Sequence, residues 1–338
     1  MAILSATILQ DAIHSMEARF GKFENRLSEY GALQSYKDNA PMMLAPSTVT
    51  NLKKSIVQPV KVPVLNKSTT SVITAPSCNP VGGRPTSAFK ALTWAYKGFE
   101  VQVIPSVNEG NYVGLAEDLG QQLRMGWKAL FSNMDTAAVT SLEANKNAVV
   151  AASAYTDKIT ASAAGYDYTG DPKEFILYRQ GLLKINDMED GGNDVANAES
   201  ISNQLLIQTY GQNNQQNLEA INRGFKNFYS NRVVPGANKE VHYLFPEGSV
   251  GIYNWTAPDN RTGRVAGNKS WEQMQDPMFG FDWEVYKVKD CIDASAEMAG
   301  NTRAYGEIWQ IGAYFAYLTE YSSDTSSPII KVTLNSAP

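Results

Sequence analysis

Residues 58–105 place the hardest condition on the fold. The stretch "PVKVPVLNK" alternates Val60, Val62 and Val64 against Lys61 and Pro63. That period of two marks a strand, and Pro63 confines it to an edge or an isolated ribbon. "STTSVITAPSCNPVGGRPTS" follows, with three prolines and two adjacent glycines, the chemistry of a loop tip. The alternation resumes at Leu92, Trp94 and Tyr96, then shifts phase at Lys97-Gly98 to Phe99, Val101 and Val103, which reads as a bulge. Together these patterns predict a long two-stranded ribbon. A hairpin of this kind cannot bury both its faces and is marginal in water, so Trp94, Tyr96 and Phe99 need a surface outside the ribbon.

The ribbon runs into "NYVGLAEDLGQQLRMGWKALFSNM", where Tyr112, Leu115, Leu119, Leu123, Trp127, Leu130 and Met134 recur at steps of three and four. This predicts an amphipathic helix about 33 Å long, the spine of a domain, with Asp135 capping a second helix, "TAAVTSLEANKNAV". A stripe at Ile8, Ala12, Met16, Phe20, Phe23, Leu27 and Tyr30 predicts an N-terminal helix ending at Gly31. It docks either on the chain's own body or on a partner. "KDNAPMMLAPSTVTNLKKS" has no sustained period and reads as an irregular arm. The middle of the chain, rich in Gly, Asn, Asp and Gln, reads as a polar second lobe. Strand patterns return in "VHYLF", "SVGIY", "FDWEVYKV" and "SSPIIKVTL". "EIWQIGAYFAYLTEY" fits strand and helix spacing almost equally, and its aromatic content favours strand.

The 338 residues suffice for one large domain or two smaller ones. With 43% hydrophobic and 19% charged residues, the chain is charge-poor for a dispersed monomer, which favours an assembled state. A formal charge of -5 excludes a surface built throughout to neutralise phosphate. Two cysteines, Cys78 and Cys291, form neither a disulfide framework nor a zinc spacing and suggest a reducing setting; both read as small buried groups, with Cys78 alternatively an exposed loop thiol. No window is apolar enough for a membrane span.

Motifs for chemistry are missing. "PSVNEGNY", between strand and helix, has neither phosphate-binding glycine pattern. Any nucleophilic triad would have to use His14 or His242. The first lies on a polar helix face, and the second reads as a surface or interface residue of a strand. "NDMEDGGND" crowds four carboxylates without a calcium-loop spacing and reads as a solvated tip. No enzyme, cofactor or metal is expected.

The order of parts resembles the major capsid protein of tailed bacteriophages, the Hong Kong ninety-seven fold shared with encapsulins. "VKVPVLNK" and "ALTWAYKGFEVQVIPS" match the two sides of its extended loop, "NYVGLAEDLGQQLRMGWKALF" its spine helix, and "IWQIGAYFAYLTEYSSDTSSPIIKVTL" its closing strands. The resemblance implies an α+β fold: N-terminal helix and arm over 1–57, extended loop over 58–105, peripheral domain with the spine over 106–154, axial domain over 155–240, and returning strands over 241–338. It implies a subunit that assembles with itself into pentamers and hexamers around double-stranded DNA. The partners would be a separate scaffold protein, a portal and decoration proteins; assembly would take place in the host cytoplasm, and the virion would be the destination. Inter-subunit contacts are then expected at Phe20, Phe23, Trp94, Tyr96 and Phe99, and weak DNA contacts at Lys53, Lys54, Lys61 and Lys67. No lysine–asparagine cross-link is expected, since nothing near Lys67 or Lys90 marks either as reactive. The alternatives are an encapsulin-like nanocompartment shell and a sugar-binding or carbohydrate-active protein using Trp255, Trp271 and Trp283.

Overall fold

A computed structural model describes residues 12–14, 17–18, 29–65, 75–76, 78, 87–104, 114–147, 150–151, 157–162, 165–170, 174–186, 188, 191–197, 224–233, 239–276, 278–292, 304–320 and 327–335. These form two six-stranded sheets and a separate two-stranded ribbon, an α+β architecture. The first sheet is organised by β13 (Ala304–Thr319), sixteen residues long. On it pair β12 (Asp282–Ile292), β3 (Ala95–Val103) and, at Tyr314–Thr319, β9 (Val250–Trp255). β11 (Lys269–Gln275) and β10 (Arg264–Ala266) extend it beyond β12. The period of two decides the ambiguous tract: Trp309, Ile311, Ala313 and Phe315 all point into the core, as alternate residues of a strand must.

Across that core face lies one unbroken helix of 30 residues, Leu115–Ala144. Its buried stripe, Leu119, Leu123, Trp127, Leu130, Phe131, Met134, Ala138 and Leu142, packs on Trp283, Phe279 and Phe315. Trp127 lies edge-on to Trp283 at 5.0 Å, and Phe131 edge-on to Phe279 at 4.9 Å. The helix does not restart at Asp135. That residue sits mid-helix and is buried, so the expected cap is a different device, described in the Discussion.

The N-terminal stripe is described at Ala12 and Tyr30, both buried in the same core; Phe20 and Phe23 lie outside the described residues. The expected irregular arm is two helices, α1 (Gly31–Met43) and α2 (Pro46–Lys54). Their period is masked in the sequence because Ser35 and Asn39 are buried in place of apolar residues. Asn39 Oδ1 accepts from Asn193 Nδ2 at 3.1 Å and from the Gly248 N–H at 2.8 Å. Pro46 starts α2, where a missing N–H costs nothing. With these two named, the long spine helix is α3.

The second sheet runs β4 (Ile159–Ser162), β5 (Gly165–Tyr168), β14 (Ile330–Asn335), β8 (Lys239–Phe245), β6 (Gly192–Ala196), β7 (Phe225–Tyr229). The pairs β14–β5 and β6–β7 are parallel and the others antiparallel. A helix, α4 (Phe175–Ile185), buries Phe175, Ile176, Leu182 and Leu183 in a second core with Leu244, Ile330 and Val332. Among the described residues the polar middle of the chain therefore contributes four strands, and the final strand returns to complete their sheet. α1 touches β9 of the first sheet and β6 and β7 of the second, so it bridges the two.

Candidate interaction surfaces

The ribbon consists of β1 (Lys61–Leu65) and β2 (Ser87–Ala91), in register from Lys61↔Ala91 to Leu65↔Ser87. It is shorter than expected. Residues 92–94 leave the strand, and Ala95–Val103 pairs with β13 instead. No bulge forms at Gly98, which faces Gly312 in a regular ladder; the phase shift reflects the break at 92–94. Among the described residues β1 and β2 pair only with each other.

At its base the ribbon is tied to the body. The Leu92 N–H donates to Val60 O at 2.8 Å, Trp94 Nε1 to Pro59 O at 2.6 Å, and Lys90 Nζ to Thr319 O at 3.1 Å. Val62 and Leu92 join Leu44, Leu52, Tyr253, Ala316 and Leu318 in a third apolar cluster, with Trp94 packed at its edge. Away from that cluster the side chains face solvent: Phe89 is 71% exposed and Val60 66%, and Ile56 and Val57 just before the ribbon are more open still.

The expected contact residues separate. Trp94 and Phe99 are held by the chain itself, Phe99 edge-on to Trp127 at 5.0 Å in the main core. Tyr96 points to the opposite face of the first sheet and is 41% exposed. Of the lysines, Lys53 pairs with Asp282 at 3.0 Å, Lys54 and Lys61 are exposed, and Lys67 lies outside the described residues.

One constellation escaped the sequence reading. His242 is fully buried, not at a surface. Its Nδ1 lies 2.9 Å from Asp194 Oδ1 and its Nε2 3.1 Å from Glu240 Oε1. Both ring nitrogens face carboxylates, which only the doubly protonated ring satisfies. Burial opposes that charge, but Asp194 and Glu240 outweigh it and raise the pKa to about 9. Asp194 also accepts from Arg179 Nη1 at 2.8 Å, and Arg179 reaches Asn227 Oδ1 at 2.6 Å and lies over the Phe225 ring. Burial disfavours the Asp194 anion, yet His242 and Arg179 hold its pKa below the usual range. Two cations and two carboxylates thus neutralise one another inside the second sheet. They clamp α4 to β6 and β8 and present no group to a substrate. The alternating strand pattern hid this cluster, because β6 is buried on both faces.

Other expected groups also fall elsewhere. His14 is exposed, as expected. Both cysteines are exposed and not buried as expected, Cys78 as its loop alternative had it and Cys291 near the end of β12. Trp283 and Trp255 are buried and form no platform.

No protein-family model matches the chain, and no curated protein matches it. Among solved structures it is similar to one from Mycobacterium phage Bobi, at 15% identity over 86% of this chain and 91% of that one, with a TM-score of 0.46. It is similar to the capsid of Ralstonia phage GP4 at 9% identity, covering 82% and 84%, with a TM-score of 0.44. It is also similar to the holo-SrpI encapsulin complex from Synechococcus elongatus PCC 7942, at 13% identity, covering 87% and 88%, with a TM-score of 0.41.

Proposed function

We propose that the chain is the structural subunit of a bacteriophage capsid, assembling with copies of itself into pentamers and hexamers around a DNA genome. The observation that carries this reading is the ribbon: two strands bound only to each other among the described residues, rooted on the body at one end, with Phe89 and Val60 facing solvent. Apolar surface displayed in this way is a liability in a lone molecule and an asset in a shell, where each copy covers the next. In this reading the ribbon is the extended loop, the first sheet with α3 the peripheral domain, and the second sheet the axial domain. Lys54 and Lys61 supply weak, sequence-independent contacts to DNA. Scaffold, portal and decoration proteins belong to the same proposal. Among the described residues no helix is long and apolar enough to cross a membrane.

The second reading, a nanocompartment shell around an enzyme cargo, uses the same surfaces. The sugar-binding reading is weaker, since Trp255 and Trp283 are committed to packing.

Electron microscopy of the chain expressed with and without its neighbouring genes tests the proposal. Closed particles that form only with a scaffold support the capsid, and particles holding an enzyme support the compartment. Phe89→Asp is expected to leave the subunit folded and to abolish particles. A stable monomer under every condition, or normal particles from the variant, overturns the reading.

A further inference from the structure

On the face of the first sheet turned away from α3 lies a concavity of about 490 Å³. Tyr96, Tyr314, Tyr286, Trp271, Glu284 and Asp259 of α5 (Pro258–Thr262) line it. The strand register assembles it: Tyr96 is opposite Tyr314, and Trp271 opposite Tyr286. The rings stay close to their partners, at 5.1 Å and 5.3 Å between centroids. Gly312 leaves room for the Tyr96 ring, because a Cβ there would lie 2.2 Å from Tyr96 Oη.

The concavity is chemically one-sided. Four aromatic rings and two carboxylates line it, and among the described residues no lysine or arginine does. Glu284 accepts the Ala257 N–H through Oε1. Its Oε2 has no hydrogen-bond partner among the described residues. Asp259 is exposed and pairs loosely with Arg264, at 3.3 Å. The chain already seats cations on rings here, with Arg264 over Trp271, one of the lining rings, and Arg261 over nearby Trp255, each at 5.9 Å. A ring face attracts a cation through its quadrupole, and a carboxylate beside it adds a charge-assisted hydrogen bond.

We propose that this concavity binds an alkylammonium group, with the ring faces around its methylenes and Glu284 accepting its N–H. Burial raises the Glu284 pKa against the pull of the Ala257 amide and of Arg261, and burial together with Glu284 itself raises that of Tyr96 to about 12. The ammonium can come from a lysine side chain of another copy of the chain or from a free polyamine.

Calorimetric titration of the unassembled full chain at low salt tests this directly, with spermidine and Nα-acetyl-lysine methylamide as probes and methyl β-glucoside as the neutral control. Saturable binding of both ammonium probes, weakened at least tenfold by Glu284→Gln and about threefold or more by Tyr286→Leu, supports the site. Circular dichroism confirms that the variants fold, and Asp259→Asn provides a second test of charge that leaves the Ala257 bond intact. Equal binding of the glucoside, unchanged binding by folded Glu284→Gln, or no binding at all overturns the proposal. The outcome does not depend on whether shells form. Where particles are obtained, binding that persists in them identifies a free cation as the ligand, and binding lost on assembly identifies a neighbour's lysine.

Discussion

The carboxylate of Asp135 accepts the backbone N–H of Leu33 at 2.8 Å, across 102 residues of sequence. Leu33 stands in the first turn of α1, where N–H groups have no partner within their own helix. Asp135 therefore caps a helix, but α1 and not the segment that follows it. Its second oxygen takes Ser230 Oγ at 2.5 Å, so one buried side chain joins α3, α1 and the end of β7. Burial pushes its carboxyl pKa above the usual range, against the pull of Ser230 and of the Leu33 and Ala32 amides.

Replacing Asp135 by Ala leaves a buried amide and a buried hydroxyl without their acceptor. We expect a loss of about 2–4 kcal/mol in folding free energy, read as a lower denaturant midpoint. Asp135→Asn keeps one acceptor and should fall between the two. A midpoint equal to the parent's would rule out the cap.

The His242 cluster predicts a pH dependence with a definite sign. The folded pKa, about 9, stands above an unfolded value of about 6.5. The stabilisation is therefore complete below pH 6.5 and is lost as pH rises through 9. Melting temperature should decline across that window by on the order of 3 °C, and the decline should flatten in His242→Gln. An equally steep slope in the variant would place the titrating group elsewhere. Asp194 has the opposite sign: its depressed pKa stabilises above the ordinary carboxylate range and fails as pH falls below it.

Gly126 lies inside α3, and Gly→Ala in a helix ordinarily stabilises by about 1 kcal/mol. Here a Cβ would sit 2.2 Å from the Phe99 ring. The sign reverses, and Gly126→Ala should destabilise by about 1–3 kcal/mol. Adding Phe99→Leu should recover part of the loss. Thermal unfolding of the parent, the two single variants and the double variant measures the coupling, and an additive result would refute the clash.

The sequence asks for a surface outside the ribbon to cover Trp94, and if a neighbouring copy supplied it, Trp94→Asp would leave the isolated subunit intact. With Trp94 donating to Pro59 O and packed on the third apolar cluster, the substitution should instead loosen the ribbon's root within the subunit. Hydrogen exchange at the Leu92 amide, bonded to Val60 O, should accelerate at least tenfold in Trp94→Ala and stay unchanged in Phe89→Asp. Identical protection in all three proteins would free Trp94 for a partner after all.

Legibility in the sequence followed the strength of local periodicity. The stripe from Leu119 to Met134 and the alternation from Trp309 to Phe315 each repeat over several turns or pleats, and a helix and a strand form there, the helix running on through Asp135 to Ala144 instead of ending before it. The helix from Gly31 to Met43 was lost because Ser35 and Asn39 occupy core positions and Pro41 stands inside it. The charged cluster was lost for a related reason: a histidine on an alternating strand reads as polar and exposed until its carboxylate partners are brought to it, one of them from 48 residues away.

From its residues alone the chain was committed to a long amphipathic helix and to aromatic strands, because each depends on a periodicity within one continuous segment. Which strand closes the ribbon, which helix Asp135 caps and where the aromatic cavity opens were settled only in the folded chain. Those choices rest on pairings between segments far apart in sequence, and each is decided by what its partner surface can bury, a quantity that does not exist until the two surfaces meet.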